Sequence, residues 1–165
     1  MREYLGDILV YNKKRQLVVV VVTANQKGKP REWAAEYRRN LYVNGELPKT
    51  PFFIIALPDH FYLWKEVEDD GIVNPTYEMD PRFSLRGFLK SSGLSPDKLS
   101  PSSFEFLVSG WFDMLQIVDE KMDICSQHSD WQFEQNQGWL FDSGLFEAVK
   151  KGTSITRDEY DDGLH

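Results

Sequence analysis

Cysteine is nearly absent. The 165 residues carry one, Cys125, which excludes a disulfide framework or a cysteine zinc site within the chain and makes a reducing cytoplasm the expected location. Long apolar runs are missing too. The longest, Leu17 to Val22, falls far below the roughly 18 residues that span a bilayer, so no membrane association is expected. No basic, then apolar, then small-residue leader opens the chain, so secretion is not expected. There is no Gly-rich phosphate loop, no serine elbow and no P-loop lysine. Internal repeats and low-complexity segments are absent as well.

What is there suits one ordinary domain. Hydrophobic residues make up 41% and aromatics 14% of the chain, too many for a disordered one. The expected division is a single domain over 1–152, followed by an acidic, disordered tail over 153–165. The tail carries Asp158, Glu159, Asp161 and Asp162 without an apolar pattern. The formal net charge is −7. It is unevenly spread: residues 1–65 hold 11 Lys+Arg against 6 Asp+Glu, and residues 66–165 hold 8 against 20. The acidic whole argues against non-specific nucleic-acid binding, while the basic first part leaves room for it.

The pattern along the chain is α/β, a small mixed sheet flanked by helices. Gly6 to Tyr11 reads as a short strand and Asn12 to Gln16 as a hairpin turn. Leu17 to Thr23 (LVVVVVT) has no alternation, as a strand buried on both faces should not. Val18, Val20 and Val22 are expected on one face, with Val19 and Val21 on the other. Pro30 suits a helix start. In Arg31 to Tyr42, Trp33, Tyr37 and Leu41 recur every four residues beside Ala34, which predicts an amphipathic helix. Asn44-Gly45 ends it. Pro51 to Leu57 reads as a second buried strand, parallel to the first across the helix, and Phe61 to Lys65 as its antiparallel partner. Glu66 to Pro81 reads as a long surface loop, and Phe83 to Leu89 as a strand or a short helix. Ser100 caps a helix running to about Val118, with Phe104, Leu107, Val108, Trp111 and Leu115 buried. Ser143 to Lys150 is a last short helix, with Gly152 just past it.

The order GDILVYN, polar turn, LVVVVVTANQ, loop, REWAAEYRRNL, PFFIIALPDHFYLWK resembles the PD-(D/E)xK nuclease superfamily. More narrowly, it resembles a branch of small bacterial hypothetical proteins, many of them cyanobacterial. The likeness covers roughly Gly6 to Lys65 and weakens through the helices up to Lys150. It implies a restriction-endonuclease-like fold and carboxylates that gather magnesium for phosphodiester hydrolysis. The acid of the first hairpin strand matches Asp7, the one metal ligand the likeness implies. Aligned on Asn25 and Gly28, the Glu-x-Lys positions are Val22 and Ala24, which neither bind a hard cation nor carry a proton. The superfamily usually has a helix before the first strand; here it has been lost, or Met1 is an internal start.

The resemblance therefore implies a nuclease-like protein that has lost catalysis and acts as a binding or interaction module, with no cofactor. The alternative is an active magnesium-dependent nuclease whose site has migrated onto the helix after the central strand, with Glu32 and Glu36 as acids and Lys27 or Lys29 as the lysine. Glu32 and Glu36 also fit a wet helix face with arginine partners. Asp7 is either held by hydrogen bonds or a strand-end acid at the surface. Arg31, Arg38 and Arg39, with Lys13, Lys14 and Arg15, are candidates for phosphate contact. The expected partners are nucleic acid, through this basic part, or a protein. A third reading is a structural protein binding through its acidic second half. Asp59 and Glu66 could reach one sheet edge. His60, His128, His165 and a Cys125–His128 pair are weaker candidates. Trp33, Trp64, Trp111 and Trp139 read as core residues.

Overall fold

A computed structural model describes residues 6–45, 47–80, 99–117, 140 and 142–156. Strands β1 (Ile8–Tyr11), β2 (Leu17–Thr23), β3 (Phe52–Ala56), β4 (Phe61–Lys65), β5 (Tyr77–Met79) and β6 (Thr153–Thr156) form one sheet in the order β5-β4-β3-β2-β1-β6. Only β2 and β3 pair in parallel; the other neighbours are antiparallel. The fold is thus mixed α/β, a six-stranded sheet flanked by helices.

Helix α1 (Arg31–Val43) supplies the crossover between the parallel strands and packs on one face with Leu9, Val20, Val22, Phe53, Ile55 and Trp64. Helices α2 (Pro101–Ile117) and α3 (Leu145–Val149) cover the other face, over Ile8, Val19, Val21, Ile54 and Leu63. Both faces of the valine run are therefore dry, which is why it never alternates. Ser100 caps α2 by accepting the Ser103 N–H at 3.1 Å. Gly45 takes a left-handed φ of 71° just past α1. None of the described helices is long and apolar enough to cross a membrane.

Four expectations change. Val18 joins Val19 and Val21 rather than Val20 and Val22. The β1–β2 register skips it, with Val10 opposite Val19 and Tyr11 opposite Leu17, and a bulge turns two successive side chains to one side. The stripe on α1 is rotated as well. Ala34, Ala35, Arg38 and Leu41 are buried, whereas Trp33 and Tyr37 are half-buried, because the two alanines let the helix lie close to the sheet. The supposed loop over 66–81 contains β5, and Trp64 Nε1 pins it by donating to the Val73 carbonyl at 2.8 Å. The tail does not start at 153: Thr153–Thr156 pairs along β1, with Ile155 opposite Leu9. The Phe83–Leu89 segment and residues 157–165 lie outside the described residues.

Candidate functional site

Strand directions bring four segments to one edge of the sheet. The start of β1, the end of β2, the end of β3 and the start of β4 all lie there, with the first turn of α1. In open α/β sheets this carboxyl edge of the parallel strands is where ligands bind. Side chains tie the loops together. Gly28 donates its N–H to Asp59 Oδ2 at 2.9 Å, and Asn25 Nδ2 donates to the Leu99 carbonyl at 3.0 Å. The Tyr62 hydroxyl donates to the Lys29 carbonyl at 2.6 Å. Burial, with Glu78, Asp59 and Glu32 around it, pushes the Tyr62 phenol above its ordinary value, and Arg31 partly offsets this. The phenol stays protonated and holds the loop. His60 stacks on its ring, with centroids 5.2 Å apart.

Asp7 stands at this edge, buried, one step before β1 and across the hairpin from Val22 and Thr23. Thr23 donates both its N–H (2.7 Å) and its hydroxyl (3.1 Å) to Asp7 Oδ2. The carboxylate therefore completes the end of β2, where a backbone acceptor would otherwise be needed. Gly6 makes the approach possible: its φ is 111°, and a Cβ there would meet Val20 Cγ1 at 2.6 Å. Of the two Glu-x-Lys positions, Val22 is buried among the α1-side apolar residues and Ala24 is half-buried against them. A magnesium ion does not fit here. Two of the three expected donors are hydrocarbon, and the remaining carboxylate already accepts two hydrogen bonds on one oxygen.

The migrated set comes only partly together. Lys27 and Glu32 reach the same edge, both exposed, and Glu36 sits one turn further along α1, also exposed. Glu32 faces Arg31 Nε at 3.7 Å. Among the described residues no three of His, Cys, Asp and Glu stand together as a metal group. Asp59 and Glu66 do not share an edge: β4 separates them, running about 16 Å, and Glu66 closes its far end through an N–H to the Pro51 carbonyl.

Arg38 is a second correction to the expected site. It is 1% exposed, so it is not a surface cation beside Arg31 and Arg39. Its guanidinium donates to the carbonyls of Asp69 (2.9 Å) and Val67 (3.3 Å) and lies 4.7 Å from the Tyr42 ring centroid. Burial lowers its pKa from the usual arginine value, while Tyr42, Asp70 and Asp69 oppose the shift. Lys49, paired with Asp70, anchors the same acidic loop. Sequence reasoning missed Thr23 and Tyr62 altogether. Period-two counting along β4 would have put Tyr62 on the α1 face, but nothing in it marks the loop carbonyl that the phenol reaches. Trp64 and Trp111 are core residues as expected; Cys125, His128, Trp139 and His165 lie outside the described residues.

Comparison with known proteins returns no relative: no family model, no curated protein and no solved structure matches the chain.

Proposed function

We propose that this protein is a restriction-endonuclease-like domain that has lost catalysis and works as a binding or interaction module in the cytoplasm. One observation carries the reading: Asp7 occupies the hairpin end where the superfamily keeps its acid, yet its carboxylate is engaged by Thr23 while Val22 and Ala24 pack in or against the apolar core. A site built this way has a structural use for its acid and no side chain to complete a metal shell. Losing a metal's charge removes several kcal/mol of transition-state stabilisation, which is orders of magnitude in rate.

The experiment is plasmid cleavage with magnesium or manganese. The wild-type chain is expected to cut no faster than buffer. Asp7→Ala is expected to lower folding stability by about 1–3 kcal/mol, because it strands the Thr23 N–H. Wild-type cleavage that disappears in Asp7→Ala would overturn the reading. Cleavage that survives Asp7→Ala and is lost in Glu36→Ala would instead establish the migrated site with Glu32, Glu36 and Lys27, and magnesium with it.

A further inference from the structure

We propose that Asn25 to Gly28 is a strap at the carboxyl edge of β2, held shut against an uncompensated charge and poised to open. All four of its residues are exposed. Fixed points bound it on both sides. Ala24 donates its N–H to the Ala56 carbonyl at 3.0 Å, and the Lys29 carbonyl accepts the Tyr62 hydroxyl at 2.6 Å, just before α1 begins. Between these anchors, side-chain bonds clasp both ends of the strap. Asn25 Nδ2 donates to the Leu99 carbonyl at 3.0 Å, and the Gly28 N–H donates to Asp59 Oδ2 at 2.9 Å. Gly28 holds a left-handed φ of 74° with open space where a Cβ would stand. Glycine moves between left- and right-handed backbone at little cost, so this end can swing. A segment with exposed backbone and little buried surface belongs to the low-stability end of a fold.

Asp59 supplies the reason to open. Its Oδ2 accepts the Gly28 N–H, but its Oδ1 is sealed from solvent and meets no donor among the described residues. A carboxylate shares its charge over both oxygens, and burying an ion without full pairing costs far more than burying an amide. The charge-assisted bond to Gly28 offsets part of this, being about twice as strong as a neutral one. It satisfies one oxygen and leaves the other bare. Released from Gly28, the half-buried Asp59 can turn into water, where both oxygens are hydrated. The closed strap thus stores unfavourable energy that its opening relieves. The edge has two states in consequence. Shut, it presents the clasped strap. Open, it presents a hydrated aspartate and a freed glycine N–H where open α/β sheets bind ligands. A partner docking here selects between these states, and its apparent affinity includes the free energy of the switch.

The test follows amide hydrogen exchange of the full chain by NMR, at Gly28 in the strap and at the anchor Ala24. In the wild type, Gly28 is expected to exchange about tenfold or more faster than Ala24, after correction for intrinsic rates. Asn25→Ala removes the distant clasp. It should speed Gly28 about threefold or more and leave Ala24 unchanged, because a strap opens as one piece. Asp59→Asn keeps an acceptor for Gly28 and removes the charge, so it should slow Gly28 about threefold or more. Asp59→Ala removes the acceptor as well and should speed Gly28. The Asp59 variants therefore move in opposite directions, which a plain hydrogen-bonding role would not produce. Amide shifts over the rest of the chain verify that each variant is folded. Gly28 as slow as Ala24, a Gly28 rate indifferent to Asn25→Ala, or faster exchange in Asp59→Asn would each overturn the proposal.

Discussion

Tyr62 shows how one buried hydroxyl couples the site to pH. Its side chain is 2% exposed, and burial, helped by Glu78, Asp59 and Glu32, raises its pKa. Burial also raises Tyr42, against the pull of Arg38. As pH climbs past the ordinary tyrosine value of about 10, the unfolded chain loses these protons before the folded one does. The unfolded state then binds fewer protons, so stability falls with rising pH. The contribution is whole below the unfolded pKa and is lost as pH passes through the raised folded values. Urea midpoints measured from neutral pH into the alkaline range are expected to drop, and Tyr62→Phe should make that drop shallower. At pH 7 the same variant should cost about 1 kcal/mol, for the hydroxyl bond to the Lys29 carbonyl. An alkaline slope identical in wild type and variant would remove Tyr62 from this account. Gly152 is a purely steric counterpart: a Cβ there would lie 1.9 Å from the Tyr11 carbonyl oxygen, so α3 can turn into β6 only without a side chain.

Elements buried on both faces were the legible ones. β2 and β4 coincide with the residues expected of them, and the ends of α1 and α2 differ by at most a few residues, because unbroken apolar runs and cap residues mark them directly. β6 was not legible. Thr153–Thr156 carries three β-branched residues, a weak strand signal, but β1 decides its place by offering a free edge. The bulge at Val18 was equally invisible, since a skipped register leaves no mark in a run of five valines. The candidate site was half legible: Asp7 could be found from the resemblance, while the role of Thr23 required the register. A strand recruited by an edge still carries weight. Ser154 Oγ donates to Asp113 Oδ1 on α2 at 2.7 Å, and Ile155 packs against the α1-side cluster. A chain ending at Gly152 is therefore expected to lose about 2 kcal/mol or more, as ladder bonds of about 1 kcal/mol each go with it. An unchanged urea midpoint would return these four residues to the tail.

Over the whole molecule, the basic residues of the first part do not gather. Lys27, Lys29 and Arg31 stand at the carboxyl edge of β2, and Lys13, Lys14 and Arg15 form the hairpin turn at its opposite end. The seven residues of β2 hold the two groups roughly 20 Å apart, beyond two Debye lengths of about 8 Å each at physiological salt. Arg31 shares its charge with Glu32, and Arg38 is inside. The excess of positive charge that the sequence shows for residues 1–65 is thus spent on separate tasks, with one arginine fastening an acidic loop. Two measurements divide these roles. Arg38→Ala is expected to lower the unfolding free energy by about 2–4 kcal/mol, through the stranded Asp69 and Val67 carbonyls and the lost ring contacts. Changing Arg31 and Arg39 together to Ala should stay within about 0.5 kcal/mol, as exposed positions do. Any duplex affinity of the wild-type chain should then depend only weakly on salt, with a logarithmic slope of about 2 or less, since each phosphate contact contributes about 0.9. A slope of about 5 or more, reduced in the Arg31/Arg39 double variant, would mean that both ends grip one duplex at once.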